Sequence, residues 1–298
     1  MVKNHMSVKD SNNENSKKMR KASTCIIVIM ILVLIGWIAW GNTALESNTY
    51  GITATTLPKE FDGYRIAHVS DLHNAEMGNG NEKLLEMLQK ANPDIIAITG
   101  DLVDSSRTDI EVALQFVEKA VEIAPCYYVT GNHEAYIEKG VYNGLEKRMV
   151  SAGVTVLHDS EALLERAGQF ISLTGVDDPD FVRSHGEIGM SLNPERIASL
   201  STIESFTLLL SHRPEFFEQY ASADVDLVLS GHAHGGQFRL PFVGGLAAPN
   251  QGLFPEYDAG LFVEGNTNMI VSRGIGNSVF PFRINNRPEV VIIELHQE

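Results

Sequence analysis

The chain is poor in cysteine, poor in tryptophan and, over most of its length, poor in basic charge. Its two cysteines are Cys25 and Cys126. Cys25 falls in an uncharged apolar run, so Cys126 stands alone in the rest of the chain and no disulfide can form there. A disulfide-stapled fold is excluded; an exported location is not. Cys25 precedes most of the apolar run instead of following it, which argues against a lipoprotein-type cysteine. The formal charge is −15; residues 1–41 carry six Lys/Arg and two Asp/Glu, or +4, which leaves −19 on residues 42–298. So acidic a body offers little to neutralise a phosphate backbone, and no nucleic-acid partner is expected. The glycine-rich stretch 241–252, PFVGGLAAPNQG, lacks the Gly-Lys-Ser/Thr ending of a phosphate-binding P-loop. It reads as a loop near the mouth of a site. There is no internal repeat, and no low-complexity tract beyond the Asn/Ser/Lys-rich head.

What is present begins with the apolar run itself, Ala22 to Trp40. A helix of that length reaches about 28 Å, close to the hydrocarbon thickness of a bilayer. Trp37 and Trp40 sit where an interfacial aromatic belt would lie. Lys17, Lys18, Arg20 and Lys21 precede the run, and Glu46, Glu60 and Asp62 follow it. That asymmetry predicts a single-pass cell-membrane protein with its N-terminus inside and its bulk outside. Cleavage and secretion is the competing reading, but the best small-residue pattern, Ala39-Trp40-Gly41, is a poor signal-peptidase site. The expected organisation is a cytoplasmic basic head (1–21), a transmembrane signal anchor (22–40), a tether (41–58) and one large domain (59–298). The 44% hydrophobic content suffices for such a core.

Within that domain one arrangement recurs. YRIAHVS (64–70), DIIAIT (94–99), CYYVT (126–130), FTLLLS (206–211) and VDLVLS (225–230) are short β-branched or apolar runs. Each ends on its C-terminal side in a residue suited to metal binding or acid–base work. NEKLLEMLQKAN (81–92) and TDIEVALQFVEKAVEIA (108–124) carry helical periodicity, the second capped by Thr108 or Asp109. Strands alternating with helices predict βαβ units around a largely parallel sheet, with ligands gathered at the carboxyl ends of the strands. FISLTGV (170–176), NMIVSRG (268–274) and EVVIIELH (289–296) are strands with little helix between them and suggest a second sheet packed on the first.

The strand ends supply Asp71, His73, Asp101, Asn132, His212, His232 and His234, too many ligands for one four-coordinate ion. A mixed oxygen and nitrogen set suits Mn, Fe, Zn or Co. Two such ions about 3.5–4 Å apart, sharing a carboxylate, are a common engine for phosphoester hydrolysis. In LSGHAHGGQ (229–237), His232 and His234 would present two imidazoles on one face if the strand geometry carried through. His68, inside a strand, reads as structural, and His158, His185 and His296 lie outside every motif. Asp177-Asp178-Pro179-Asp180 fits a substrate entrance or a plain turn. Arg213 reads as a salt-bridge partner sooner than a phosphate contact.

The ordered set Asp71-x-His73, Gly100-Asp101-x-x-Asp104, Gly131-Asn132-His133-Glu134, His212 and Gly231-His232-x-His234 resembles the calcineurin-like metallophosphoesterases, above all their bacterial membrane-anchored or exported branch. The likeness runs from about residue 64 to the C-terminus, and the tail 273–295 shares it. It implies a four-layer α/β/β/α sandwich holding two divalent metal ions. One would be held by Asp71, His73, Asp101 and His234, the other by Asp101, Asn132, His212 and His232. His133 would be the catalytic histidine, donating a hydrogen bond to the phosphoryl group and protonating the leaving oxygen, with Asp104 orienting it from beyond the metal ligands. The implied activity is hydrolysis of a phosphomonoester or phosphodiester by metal-bound hydroxide, on a substrate that a membrane location suggests is lipid- or wall-linked. Two alternatives are a non-catalytic surface module that retains the fold and a hydrolase of a nucleotide-linked lipid pyrophosphate; a substrate panel separates them. A lactamase-like metallohydrolase fails, because Gly235-Gly236-Gln237 stands where that chemistry needs a further Asp-His.

Overall fold

The apolar run does not stand alone as a helix: α1 spans Lys3–Thr43 and joins the basic head to the span without a break. The computed structural model describes residues 3–185 and 192–298, with side chains described from residue 16 onward; residues 1–2 of the expected head lie outside it. From Ser16 to Thr43 α1 is long and apolar enough to cross a membrane, and its apolar side chains are not buried against the rest of the protein. At its C-terminal end the Arg287 guanidinium lies over the Trp40 ring, 4.9 Å from the centroid.

The first sheet contains β1 (Glu46–Ala54), β2 (Tyr64–Val69), β3 (Ile95–Thr99), β4 (Cys126–Val129) and β5 (Thr155–Val156). Its connecting helices are α2 (Glu82–Ala91), α3 (Ile110–Ala120), α4 (Asn132–Tyr136) and α5 (Lys139–Ala152). The second half of the chain runs β6 (Ser160–Arg166), β7 (Gln169–Gly175), α6 (Pro179–His185), α7 (Pro194–Leu200), β8 (Thr207–Leu210), α8 (Phe217–Ser222) and β9 (Leu227–Ser230). Two small hairpins follow, β10 (Arg239–Leu240) with β11 (Gly244–Gly245) and β12 (Ala247–Ala248) with β13 (Gly252–Leu253). The chain closes with β14 (Gly260–Glu264), β15 (Thr267–Val271) and β16 (Glu289–Gln297). Strand order is β1-β16-β2-β3-β4-β5 in one sheet and β14-β15-β9-β8-β7-β6 in the other.

Two assignments differ from the sequence expectation. Residues 46–54, inside the expected tether, form β1, which pairs in parallel with β16 from Glu46↔Glu289 to Ala54↔Gln297. Its polar alternation disguises it, because as an edge strand it buries Ile52 and leaves much of itself to solvent. The strand read from EVVIIELH belongs to the first sheet, not the second, lying between β1 and β2. Its apolar composition records burial on both faces and says nothing of which sheet provides it.

The layers follow from which faces are apolar. Ile66, Ile95 and Ala97 of the first sheet meet Leu208, Leu210, Leu227 and Leu229 of the second. On the outer face of the first sheet, Ala67, Ile96 and Ile98 pack against Leu84, Leu88, Phe116 and Leu145 from α2, α3 and α5. On the outer face of the second, Leu209 and Val228 pack against Ile197, Phe217 and Tyr220. The result is helix, sheet, sheet, helix. Each such side chain, fully buried, contributes roughly 1.5–3 kcal/mol before conformational entropy is set against it. At the start of α3, Asp109 is the cap, accepting from the Glu111 N–H at 3.0 Å. The carboxyl ends of β2, β3, β4, β8 and β9 fall on one rim, where the parallel strands stop together.

Candidate metal centre

Three of the strands that reach this rim, β2, β3 and β9, are followed by left-handed turns. Asp71, His73, Asp101, His232 and His234 all have positive φ, between 46° and 65°. Left-handed backbone at five of seven candidate ligands is strain that the surrounding structure must overcome. These turns also correct the reading of His232 and His234. The strand ends at Ser230, so the two imidazoles do not lie side by side and instead enter different clusters.

In one cluster Asp71, His73 and His234 converge. His73 Nε2 lies 3.1 Å from His234 Nε2, and His234 Nε2 lies 3.4 Å from Asp71 Oδ1. In the other, His212 Nε2 lies 3.2 Å from His232 Nδ1 and 3.2 Å from Asn132 Oδ1. Asp101 Oδ2 joins them, 3.4 Å from His73 Nε2 and 3.3 Å from His212 Nε2. Ligand atoms about 3.0–3.4 Å apart are what metal–ligand distances near 2.1 Å give at tetrahedral or octahedral angles. All seven residues expected from the sequence are therefore brought together.

The supporting bonds fix which ring nitrogen faces inward. His212 Nδ1 donates to the Thr99 carbonyl at 2.7 Å, and His232 Nε2 donates to Asn250 Oδ1 at 3.0 Å. The remaining nitrogens of the two rings then face each other as lone pairs, an arrangement suited to a cation between them. Without one, protons take its place. Burial opposes a charge on His212, but Asp101 and Asp71 outweigh it and push the group up to about 10. His234 goes the other way, to about 3, because burial dominates over the pull of Asp71. Burial also opposes ionisation of Asp71 and Asp101, yet the surrounding imidazoles hold both below the usual carboxylate range.

His133 stands beside the first cluster, its ring edge-on to His73 with centroids 4.4 Å apart. Its Nδ1 accepts from the Ser105 N–H at 3.0 Å, and its Nε2 lies 3.1 Å from Ser278 Oγ. A neutral ring that accepts at Nδ1 carries its proton on Nε2. Asp104 reaches His133 indirectly, through the turn that carries Ser105. Its carboxylate accepts from Ser106 N–H at 2.9 Å and pairs with Arg107 Nη2 at 2.5 Å. These bonds bend the 104–107 turn that aims Ser105 at His133.

Glu134 was visible in the motif without a role. Its buried carboxylate accepts from the N–H groups of Asp101 (2.9 Å), Leu102 (2.9 Å) and Gly131 (2.8 Å), fastening the loops after β3 and β4 together. Burial and the neighbouring Asp101 push it up to about 7 against those donors. Ser105, Asn250, Ser278 and Arg283 lie in no motif block; the 241–252 loop and the 273–295 tail point to the neighbourhood of the last three but not to these residues individually. Arg283 is buried with Nη2 3.4 Å from His234 Nδ1. Arg213 is a salt-bridge residue as expected, paired with Asp178 and Asp180 and standing 3.3 Å from His232 Nε2. The acidic run 177–180 is thus tied into this network and to His158. His68 is buried in β2, bonded to Thr99 Oγ1 at 2.7 Å.

Residues 64–236 match the sequence profile of the calcineurin-like phosphoesterases. The chain is 29% identical over 262 residues to the metallophosphoesterase YkuE of Bacillus subtilis (strain 168), covering 84% of this chain and 85% of that one. It is 29% identical over 293 residues to a transmembrane protein with metallophosphoesterase domain from Danio rerio, covering 95% of this chain and 64% of the relative. Phosphodiesterase YaeI of Escherichia coli (strain K12) is 30% identical over 205 residues, 68% of this chain and 70% of its own.

Proposed function

The chain belongs to the calcineurin-like phosphoesterase family, and on that footing we propose that it is a two-metal hydrolase of phosphomonoesters or phosphodiesters, anchored in a membrane by α1. Asp71, His73, Asp101 and His234 hold one divalent ion, and Asp101, Asn132, His212 and His232 the other. The observation that carries this reading is the single oxygen, Asp101 Oδ2, placed within 3.4 Å of an imidazole nitrogen from each cluster. Bound ions supply Lewis acidity toward the phosphoryl oxygens and a water-derived nucleophile at neutral pH. The protein's own groups do the rest. His133 offers Nε2–H to a phosphoryl oxygen, and the Ser105 N–H keeps that proton on Nε2. Full protonation of a leaving group would require a second proton at Nδ1, where Ser105 already donates and where burial disfavours the cation. Hydrogen-bond stabilisation of developing charge is the role this geometry favours. Lys17, Lys18, Arg20 and Lys21, which lie in α1 ahead of its apolar run, support an N-terminus inside and the phosphoesterase domain outside.

The test uses the full chain in detergent, stripped of metal, with Mn, Fe, Zn or Co added back singly. Hydrolysis of matched aryl phosphomonoester and phosphodiester substrates is followed. Metal-restored turnover that Asp101→Ala abolishes supports the reading, and the preferred ester narrows the substrate. His133→Ala should keep both metals and lose turnover. A loss that does not grow as the leaving group becomes poorer identifies hydrogen bonding as its role; a steep growth identifies proton donation. A protein that binds none of these metals overturns the proposal.

A further inference from the structure

Three loops around the metal centre expose apolar side chains to solvent; of these the Phe280 ring meets Phe238, centroids 5.5 Å apart. Phe242 and Val243 form the tip between β10 and β11, with Phe242 fully exposed. Leu253 ends the second hairpin and Phe254 follows it, and Val279 and Phe280 lie in the segment before β16; Val279 is 88% exposed. The loops are fastened together. Gln237 Nε2 donates to the Phe280 and Phe282 carbonyls, Arg239 N–H to the Ile284 carbonyl at 3.0 Å, and Phe254 N–H to the Leu246 carbonyl at 2.9 Å. An exposed apolar cluster of this kind marks a protein or membrane contact.

The end of α1 decides between them. Asn42 accepts at Oδ1 from the Arg283 N–H at 2.7 Å and from Asn277 Nδ2 at 3.3 Å, and its Nδ2 donates to the Arg283 carbonyl at 3.0 Å. Residues 277 and 283 are the two ends of the loop that carries Val279 and Phe280. Asn42 lies only about 3 Å of helical rise beyond Trp40. The headgroup layer is about 5–8 Å thick on each side of the hydrocarbon. A loop held at Asn42 is therefore held within that layer if α1 spans the bilayer.

We propose that the loops around 242, 254 and 279 form a lipid-docking rim, seated in the interfacial layer of the same bilayer that α1 crosses. The proposal rests on α1 spanning that bilayer. Docking is apolar in nature, because the acidic body gains nothing from an anionic surface. The same loops reach the metal centre. Ser278 Oγ, next to Val279, lies 3.1 Å from His133 Nε2, and Asn250, three residues before Leu253, accepts from His232. The mouth of the site thus opens at the lipid–water boundary, where a phosphoester carried on a lipid would meet it.

The experiment uses the full chain with Cys25→Ser, leaving only the buried Cys126. Single cysteines introduced as Phe242→Cys, Val279→Cys and Asn266→Cys carry an environment-sensitive fluorophore. Position 266 is exposed in the β14–β15 turn, at the amino end of the parallel strands and so opposite the rim. The protein is reconstituted in phosphatidylcholine vesicles with and without brominated acyl chains. Expected is at least twofold stronger quenching by bromine at 242 and 279 than at 266, with the reverse order for aqueous iodide, at low and high salt alike. Trp37 and Trp40, the chain's two tryptophans, report on the anchor in the same samples. Quenched tryptophans with labels at 242 and 279 that behave like 266 overturn the rim. Unquenched tryptophans overturn the membrane span, and the rim falls with it.

Discussion

Gly131 is a glycine for want of space. Its φ of −107° is available to any residue, but a Cβ there would collide with Asp101 Oδ1 and lie 2.5 Å from the Asp101 nitrogen. Gly231 is under the same constraint, because a methyl group at that position would run into Ser70 Oγ and Asp71 Oδ2. Gly131→Ala should therefore displace the shared carboxylate. Equilibrium dialysis should show loss of both metals, while far-ultraviolet circular dichroism stays near wild type. Glu134 is the complementary case, one carboxylate serving four backbone donors, those of Asp101, Leu102, Val103 and Gly131. Glu134→Gln sets an amide N–H against at least one of those donors. It should cost about 1.5–3 kcal/mol in denaturant unfolding and weaken metal binding about 10–100-fold. Wild-type stability and affinity in that variant would remove Glu134 from the supporting structure.

At the scale of elements, β1 and the α5 contacts carry the sharpest expectations. Because β1 pairs along its whole length with β16 and buries Ile52, a truncation beginning at residue 42 should fold, whereas one beginning at 55 should lower the melting temperature or aggregate. The contact between α5 and the second sheet runs through His158, which bonds Asp177 at 2.8 Å and faces Glu146 at 3.5 Å. The Asp177 hydrogen bond lifts His158 to about 9 against its burial, while burial raises Asp177 and the same bond pulls it back. A histidine with a raised folded pKa stabilises fully below its unfolded value near 6.5 and loses that stabilisation as pH rises through about 9. The melting temperature should fall across that window in wild type, and the fall should be smaller in His158→Gln. Equal slopes in the two proteins would show that the pair does not contribute.

At the scale of the molecule, charge and anchor act together. The +4 head and −19 body lie on opposite sides of the apolar segment. The full chain should remain with membranes after alkaline carbonate washing, and a cysteine placed at Asn266 should react with an impermeant maleimide on intact cells. Reaction only after permeabilisation would reverse the orientation.

Much of the site was legible in the sequence because its ligands follow short apolar runs at fixed local spacing. Asp71, His73, Asp101, Asn132, His212, His232 and His234 could be named from those spacings, together with the βαβ alternation and the apolar anchor. The division of His232 and His234 between two clusters came from the family resemblance and not from their spacing. The sheet membership of β16 and the pairing of β1 could not be named. Nor could the roles of Glu134, Ser105, Asn250 and Ser278, or the joining of three apolar loops beside the end of α1. Periodicity and spacing are properties of neighbours in the chain, and they determined which residues could be named as candidate ligands. Pairing partners, left-handed turns and shared hydrogen bonds depend on groups distant in sequence that packing alone brings together, and so the tertiary structure decided how those residues face one another.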